Sequence, residues 1–338
     1  MTRDSPAVSV LMPVRDGGAH LYEAMDSLVA QTFGDFEVIV VNDGSVDGTA
    51  AELERWTSRD DRIRVLTSKP VGIVRALETA RGEARGRFLA RMDADDIADP
   101  RRLALQYDFL DAHPRVSGCG CGVRYFPEEH VRDGARRYEA WINGIRSPSG
   151  VNRAIWVECP IAHPTFFLRS EAVAEVGGYQ DHGWPEDYDL ILRMHAAGHD
   201  LANVPEILHL WREGAARLSR TDARYAPEAF LSCRVHHLLQ GPLGEGRPVV
   251  VWGAGPVGKS FARALQARGT RVTAFVDLNP RKIGQEIHGA PVLEPAKGLE
   301  IRGPLHAAAV GQPGARGRIE ALLEGGGMVP GVDFVAVA

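Results

Sequence analysis

The 338-residue chain has few cysteines, and their arrangement excludes a disulfide-rich scaffold. The four cysteines are Cys119, Cys121, Cys159 and Cys233. They are too few for a disulfide framework, and Cys119-Gly120-Cys121 lacks the second cysteine pair that a zinc site would need. We therefore expect all four to be reduced and buried as small apolar side chains.

The chain also lacks an excess of charge of either sign. Lys and Arg together number 39 and Asp and Glu 44, so the formal net charge is −5. This balance predicts no binding to nucleic acid. No apolar run reaches the roughly 20 residues of a membrane-spanning helix, and the first residues do not resemble a signal peptide. We expect a cytoplasmic protein, and contact with a membrane surface stays open.

What the chain does have is a regular alternation of short β-branched segments and helical periodicity from residue 7 onward. "AVSVLMPV", "FEVIVV", "RIRVL" and "RFLARM" are typical of strands, and amphipathic helices separate them. This order predicts right-handed βαβ units and an α/β fold with a mostly parallel sheet sandwiched by helices. A Gly- and Pro-containing linker at 241–247 precedes "VVVWGAGPVGKSFARAL", which predicts a small C-terminal Rossmann-like α/β domain over 248–338.

Each of the first four predicted strands ends in a polar cluster. The clusters are Arg15-Asp16, Asn42-Asp43-Gly44-Ser45, Thr67-Ser68-Lys69 and Asp93-Ala94-Asp95. Parallel strands present their carboxyl ends on one side of a sheet, where open α/β sheets bind ligands. We therefore expect these clusters, which are far apart in sequence, to meet at one edge.

The segment "RFLARMDADDIADPRRL" places aspartates directly after the fourth predicted strand. Asp93 and Asp95 point the same way in an extended chain, whereas Asp96 faces elsewhere. Convergent carboxylates suit a hard cation such as Mg²⁺ or Mn²⁺, although Asp-rich loops are common without one. Asp99 before Pro100 is typical of a helix cap.

A second acidic candidate lies at the start of the helix predicted in "PEDYDLILRMHAAG". Asp187 falls on the apolar, inward face of this helix, and Asp189 is expected to pair outward with Arg193. The helix dipole keeps a carboxylate in the first turn ionised and ready to accept a proton. Simple stabilisation of the helix explains the same pattern, so both interpretations stay open.

Five ordered segments resemble family 2 glycosyltransferases of the GT-A fold: "SVLMPVRDGG", "VIVVNDGSVDGT", "RFLARMDADDIADPRRLALQ", "HPTFFLRSEAVAEVGGY" and "PEDYDLILRM". The resemblance implies a GT-A domain over 1–240, with a nucleotide-binding half at 7–100 and an acceptor-binding half at 101–240. It implies transfer of a sugar from a nucleotide diphosphate sugar to an acceptor hydroxyl, with inversion at the anomeric carbon. Carbohydrate, lipid-linked and protein acceptors all stay open.

The resemblance also assigns roles to individual residues. Asp93 and Asp95 match the family's metal- and diphosphate-binding motif, which implies Mn²⁺ or Mg²⁺ as cofactor. Asp187 matches the general base of the family, and Glu186 beside it would orient acceptor or donor. The remaining contacts to the nucleotide sugar would come from residues near the strand ends: Pro13, Val14, Arg15 and Asp43.

Two departures from the family pattern shift roles to neighbouring residues. Many relatives carry an Arg-Asn pair where this chain has Leu77 and Glu78, so Arg75 is the substitute contact to phosphate or base. The family's further metal-binding His is missing after Arg212. His209 is the candidate replacement, with a structural role as the alternative, and Arg212 is the candidate clamp on the diphosphate.

The C-terminal segment carries a dinucleotide fingerprint formed by Gly253, Gly255 and Gly258, followed by Asp277. NAD(P) binding, a vestigial scaffold and homo-oligomerisation are the open interpretations. The alternatives to a glycosyltransferase are a sugar-1-phosphate nucleotidyltransferase, an NAD-dependent sugar-nucleotide oxidoreductase and a non-catalytic nucleotide-sugar sensor.

Overall fold

The computed structural model describes residues 5–214 and 217–338. Its described residues form two compact units. The first unit takes residues up to 151, then 160–182 and 189–221, and the second takes 152–159, 183–188 and 222–338. The predicted linker at 241–247 lies inside the second unit and contains a 3-10 turn at Gly244–Gly246. The predicted domain boundaries remain a prediction.

The first unit is built on strands of which the first four lie where the sequence pattern predicts them. These strands are β1 (Val8–Val14), β2 (Phe36–Asp43), β3 (Ile63–Ser68), β4 (Phe88–Arg91), β5 (Ile97–Ala98), β6 (Val116–Phe126), β7 (Phe167–Arg169) and β8 (Asp200–Arg212). The helices up to residue 221 are α1 (Leu21–Val29), α2 (Thr49–Arg59), α3 (Ile73–Glu83), α4 (Arg102–Ala112), α5 (Asp133–Asn143), α6 (Pro148–Ala154), α7 (Ser170–Glu175), α8 (Glu186–Ala196) and α9 (Leu218–Thr221).

Over the described residues, the strands of the first unit form an eight-stranded sheet in the order β3-β2-β1-β4-β7-β6-β8-β5. The pairs β3-β2, β2-β1 and β1-β4 are parallel, as the alternating pattern predicts. β1 and β2 are buried almost throughout, which explains their nearly continuous apolar sequences. The expected α/β architecture with a mostly parallel sheet is confirmed.

The sheet brings the predicted polar clusters to one edge. β1 and β2 run in register, with Val14 opposite Asn42, and β2 continues alongside β3 until Asp43 faces Ser68. β4 lies on the other side of β1, with Arg91 opposite Leu11. The chain therefore leaves four neighbouring parallel strands at the same edge of the sheet.

A two-residue strand, β5, was not expected from the sequence. It pairs antiparallel with β8, so that Ile97 lies opposite Leu210 and Ala98 opposite His209. A strand of this length shows no periodicity, and its partner lies more than a hundred residues away in the chain. This pairing fixes the segment that follows the aspartates.

Helix α8 begins at Glu186, close to the expected start. Arg193 Nε donates to Asp189 Oδ2 at 2.8 Å, as predicted, but the expectation that this pair faces outward is wrong because Asp189 is only 1% exposed. Arg193 also donates to the carbonyl oxygens of Val176 and Gly178. The pair therefore holds a turn in the interior of the first unit.

The second unit contains a smaller sheet with helices around it. Its strands are β9 (Val249–Trp252), β10 (Val272–Val276), β11 (Glu286–Ile287), β12 (Ala290–Leu293), β13 (Leu305–Ala308) and β14 (Phe334–Ala336), in the order β11-β12-β10-β9-β13-β14. Its further helices are α10 (Pro227–Gln240), α11 (Pro256–Gln266), α12 (Pro295–Glu300) and α13 (Ala315–Gly325). Only the β11-β12 pair is antiparallel among these described strands.

All four cysteines are buried, as expected from their number and spacing, and all are present as thiols.

Glu37 is a buried carboxylate that joins strands β1, β2 and β3. Its Oε1 accepts from Ser9 Oγ at 2.8 Å, and its Oε2 pairs with Arg85 at 2.7 Å and Arg64 at 3.1 Å. Burial opposes ionisation, but hydrogen bonds from Arg85 and Ser9 outweigh it, so the pKa of Glu37 is lowered. The ionised form of this side chain therefore stabilises the fold.

Replacing Glu37 by Gln is expected to lower the free energy of unfolding by about 1–3 kcal/mol at neutral pH, because charge-assisted hydrogen bonds are lost. The folded pKa of Glu37 lies below its unfolded value, so its contribution is complete above that value and is lost as pH falls through the folded pKa. Urea unfolding at neutral and acidic pH should show the difference between wild type and Glu37→Gln shrinking with acidification.

Glu54→Gln is the matched control, since Glu54 is an exposed acid on α2. A difference between wild type and Glu37→Gln that stays the same at both pH values would contradict this account.

Candidate functional site

Three carboxylates converge where the chain leaves β4. Oxygen atoms of Asp93, Asp95 and Asp96 all lie within 4.8 Å of one another. Asp93 and Asp95 are partly exposed, whereas Asp96 is buried. Asp93 and Asp95, which are two residues apart in the chain, therefore lie close together where solvent can reach them.

Asp96 has a role that the sequence did not reveal. Its Oδ2 lies 2.8 Å from His209 Nε2, and its Oδ1 accepts from the backbone N–H of Arg212 at 2.7 Å. Both oxygens therefore face β8, and the contacts extend the pairing of β5 with that strand. Asp96 anchors the loop that carries Asp93 and Asp95.

His209 lies in the middle of this buried chain of contacts. Its Nδ1 lies 3.1 Å from the guanidinium of Arg102. Arg102 can only donate, so Nδ1 accepts and Nε2 carries the proton that is donated to Asp96. Burial and the nearby Arg102 hold the pKa of His209 well below its usual range. Both ring nitrogens of His209 therefore contact protein groups, and its role as a metal ligand stays a prediction.

Arg102 completes the anchor from the opposite side. It is buried on α4 and donates to the carbonyl oxygen of Arg91, the last residue of β4, and to Gln106 Oε1. The Asp96–His209–Arg102 chain therefore connects both ends of the acidic loop to α4 and β8. Its members are too far apart in sequence for any local pattern to reveal it.

Burial and mutual repulsion raise the pKa of two of the clustered acids, Asp95 and Asp96. Burial, followed by the charges of Asp93 and Asp96, raises the pKa of Asp95 to about 7. Burial and Asp93 raise the pKa of Asp96 to about 8, although the hydrogen bond from Arg212 acts in the opposite direction. Without further positive charge nearby, full ionisation of this cluster is unfavourable.

Three arginines surround the cluster. Arg91 forms an ion pair with Asp93. Arg212 Nε donates to the carbonyl oxygen of Asp95 at 2.6 Å, and its guanidinium also pairs with Glu23. Arg217, which sequence reasoning missed, lies over the Trp211 ring and counteracts the rise in the Asp95 pKa.

These contacts bear on the role expected for Arg212. Its guanidinium holds the acidic loop and packs against the Phe126 ring at 4.3 Å. A clamp on the diphosphate would require some of these contacts to be exchanged for phosphate oxygens. The clamp assignment stays a prediction.

Asp43 lies at the end of β2, at the same edge of the sheet. Its two oxygens accept from the backbone N–H groups of Val71 and Gly72, at 2.6 and 2.9 Å. Asp43 therefore holds the loop that leads into α3. The neighbouring Asn42 closes the turn that follows, since its Oδ1 accepts from Ser45 N–H at 3.1 Å.

The other residues expected to bind the nucleotide lie nearby, with Val14 buried and Pro13 partly exposed. Pro13 and Val14 end β1 beside Val41 and Asn42 of β2, and Arg15 follows in an exposed position. Arg75 is exposed on α3. The structure thus brings Pro13, Val14 and Arg15 next to the end of β2, and Arg75 follows the loop that Asp43 holds.

The departure from the family pattern on α3 has a structural explanation. Leu77 is fully buried in the first unit. Glu78 accepts from the backbone N–H of Tyr179 at 2.6 Å and pairs with Arg81 at 2.7 Å. These two positions therefore serve packing and the turn at Gly178-Tyr179.

Glu186 and Asp187 belong to the second unit. Glu186 is fully buried, and Tyr225 Oη donates to its carboxylate at 2.8 Å. The guanidinium of Arg224 lies 3.9 Å from the same carboxylate. Asp187 is partly exposed, and its Oδ1 accepts from the N–H of Tyr188 in the first turn of α8. Within this unit Glu186 is fixed, and Asp187 is the more accessible acid.

The glycine fingerprint of the second unit lies between β9 and α11. A Cβ on Gly258 would lie 1.9 Å from the carbonyl oxygen of Gly253, so close packing of helix and strand requires glycine there. Gly253 has a φ of +119°, and Gly255 precedes the first residue of α11. Asp277 follows β10 and accepts from the N–H of Ala254 at 2.8 Å.

Comparison with known proteins identifies the class of protein that this fold and site belong to. A family model described as "Glycosyl transferase family 2" matches residues 9–177. The amylovoran biosynthesis glycosyltransferase AmsE of Erwinia amylovora is 30% identical over 202 residues, which cover 60% of this chain and 73% of AmsE. The chain is therefore a glycosyltransferase. It belongs to glycosyl transferase family 2.

Solved structures agree with the fold. TarS 1-349 of S. aureus in complex with UDP-GlcNAc matches with a TM-score of 0.57 at 16% identity, over 77% of this chain and 72% of that chain. The mannosyltransferase PcManGT from Pyrobaculum calidifontis, in complex with GDP-Man and Mn²⁺, matches with a TM-score of 0.51 at 21% identity, over 70% and 63%. The expected GT-A fold is confirmed by these likenesses.

The comparisons give less support to the expectations about NAD(P) and about location in the cell. None of these descriptions names NAD(P), and its binding is not supported. Among the residues that the structure describes, no helix combines the length and apolar character that crossing a membrane would require. The cytoplasmic location stays a prediction.

Replacing Asp96 by Asn is expected to lower the free energy of unfolding by about 1–3 kcal/mol, because the amide nitrogen would face one of two hydrogen-bond donors. Urea unfolding monitored by circular dichroism measures this difference. Asp108→Asn, at an exposed acid on α4, is the control. Equal stability of the two variants would show that Asp96 does not anchor the loop.

Proposed function

We propose that this glycosyltransferase moves a sugar from a nucleoside diphosphate sugar to an acceptor hydroxyl with inversion, using a divalent cation at Asp93 and Asp95 and Asp187 as general base. The observation that carries the proposal is the convergence of carboxylates after β4, at the same sheet edge as Asp43. Carbohydrate, lipid-linked and protein acceptors remain the candidate classes.

The nucleotide is proposed to bind along the ends of β1 and β2. Asp43 is held by the loop amides of Val71 and Gly72, so its position is set before any ligand arrives. A carboxylate can accept an N–H of a nucleobase in addition to the bonds it already makes. The solved relatives TarS and PcManGT, which are described with UDP-GlcNAc and GDP-Man, support this class of donor.

The residues after β4 fit a divalent cation. Their donors are carboxylate oxygens, which Mg²⁺ and Mn²⁺ prefer, and such ions typically use only one or two protein carboxylates. Asp93 and Asp95 would hold the ion, since both oxygens of Asp96 already face His209 and Arg212. When bound, the ion would neutralise charge on the diphosphate leaving group.

The charge balance of the site supports this assignment. Burial and like charges raise the pKa of Asp95, which means that its ionised form lacks sufficient compensation in the protein alone. A cation provides that compensation. PcManGT, described with Mn²⁺, shows that a protein of this fold can take such an ion.

Asp187 is proposed to accept the proton of the attacking hydroxyl. It lies partly exposed in the first turn of α8, where the helix dipole favours a carboxylate. Glu186 is held by Tyr225 and is suited to positioning. The accessible neighbour of a fixed acid is the better candidate for proton transfer.

The nucleotidyltransferase and oxidoreductase alternatives are not favoured, because the family model and AmsE both indicate sugar transfer. A sensor that binds donor without transfer would share the same residues. Measured transfer or hydrolysis of the donor separates an enzyme from such a sensor.

Replacing Asp95 by Asn is expected to abolish metal-dependent binding of donor. In a thermal-shift screen of UDP- and GDP-sugars, Mn²⁺ should raise the melting temperature of the wild type together with its donor, because ligands stabilise the folded state they bind. Asp95→Asn and Asp93→Asn should lose the part of the shift that depends on Mn²⁺.

Asp108→Asn, which leaves the cluster intact, should keep the full shift. A Mn²⁺-dependent shift that survives in both Asp93→Asn and Asp95→Asn would refute the metal assignment.

Asp187→Asn is expected to reduce turnover by about 10²–10⁴-fold, because an amide cannot accept the proton. The thermal shift with donor and Mn²⁺ should stay close to that of the wild type. Transfer is measured as release of the nucleoside diphosphate in the presence of acceptor.

Glu228→Gln serves as control, since Glu228 is exposed at the start of α10. If a folded Asp187→Asn protein turned over at the rate of this control, another residue would have to be the base.

A further inference from the structure

The second unit has a cleft at the point where its strand order reverses. From β9 the chain moves to β10 on one side, and it later returns to β13 on the other side. In open α/β sheets, ligands bind outside the carboxyl ends of strands at such a reversal. The cleft lies there, between Trp252-Gly253 at the end of β9 and Ala309-Val310 after β13, and has a volume of about 650 Å³.

The lining of this cleft combines apolar walls with positive charge. Val257, Leu278 and Leu322 line it, and each is more exposed than apolar side chains of this size usually are. Lys282 and Arg318 supply positive charge in the same cleft. An adjoining hollow, at the start of α11, adds Lys259 and Arg263.

Three of these cations form no ion pair with an acid among residues 5–214 and 217–338. They are Lys259, Arg318 and Arg263, whose guanidinium donates to His288. Asp277 is the one acid lining the cleft in this part of the chain, and it pairs with Lys282 at 2.9 Å. Cations without partners beside a concave surface favour an anionic ligand.

The arrangement of Asp277 departs from the dinucleotide fingerprint that its position suggests. In that fingerprint the acid after the second strand binds ribose hydroxyls. Here its Oδ2 accepts from Ala254 N–H and from Lys282 Nζ, and its Oδ1 accepts from Asn279 N–H. These bonds lower the pKa of Asp277 although burial opposes the change. The acid therefore holds the glycine loop and a lysine.

We infer that this cleft binds a nucleotide through its phosphate groups and base, without recognition of the ribose by Asp277. The phosphates lie among Lys259, Lys282 and Arg318 near the amino end of α11, where the helix dipole adds to the positive field. The base packs against Val257, Leu278 and Leu322. This site is separate from the donor site proposed above and does not depend on it.

The test is calorimetric titration of the full chain in EDTA with ADP, GDP, UDP and CDP, and then with inorganic phosphate and the matching nucleosides. EDTA suppresses metal-dependent binding at the acidic cluster. At least one diphosphate should bind, and the double variant Lys259→Ala/Arg318→Ala should weaken it by about tenfold or more, because charge-assisted contacts are lost.

Arg268→Ala is the matched control, since Arg268 is an exposed cation beyond the other end of α11; it should bind as the wild type does. The 2′-deoxy form of the bound nucleotide should bind with an affinity within about twofold of the ribo form. A twofold change in affinity corresponds to less free energy than the loss of one hydrogen bond. Absence of binding by all four diphosphates overturns the proposal.

Three further results would also overturn it. The first is that inorganic phosphate or the nucleoside alone binds with the same affinity as the diphosphate. The second is that the double variant binds the diphosphate as tightly as the wild type does. The third is that the 2′-deoxy nucleotide binds much more weakly than the ribo form. Loss of the Mn²⁺-dependent donor shift in Asp95→Asn leaves these titrations unaffected, so failure of one proposal is distinguishable from failure of the other.

Discussion

The acidic site of this enzyme depends on keeping three carboxylates close together, and the contacts that hold their backbone offset the free-energy cost of this arrangement. Asp96 provides the holding contact by turning both oxygens toward β8, where His209 and the backbone of Arg212 donate to them. Arg102 donates to Nδ1 of His209 and also to the carbonyl oxygen of Arg91 at the end of β4. With the loop fixed on both sides, Asp93 and Asp95 keep their shared position despite repulsion.

This arrangement divides the aspartates by function. The buried acid is used for structure, and the two partly exposed acids stay accessible from the sheet edge. A buried charged network is costly when any one partner is missing, so its members are expected to depend strongly on one another. The same division recurs in the second unit, where Tyr225 holds the buried Glu186 while Asp187 is partly exposed.

Much of the fold could be predicted from the sequence, because the first strands and helices show strong periodicity. β1 and β2 start within one residue of the expected positions. The convergence of polar clusters followed from parallel pairing alone. By contrast, β5 is too short to show a pattern, and the contact of Asp96 with His209 joins residues 113 positions apart. The outward direction expected for Asp189 failed because α8 is buried on more than one face.

The turn at Gly178 shows that the residue at one position of a chain can restrict which residue fits at a distant position. Gly178 has a φ of +68°, and a Cβ there would lie 2.4 Å from Glu78 Oε1. The carboxylate of Glu78 on α3 thus fits only against a residue without a side chain, a hundred positions downstream. Evolutionary change at either position is therefore constrained by the other. Replacing Glu78 by a residue without a side-chain acceptor would remove this acceptor from the amide of Tyr179.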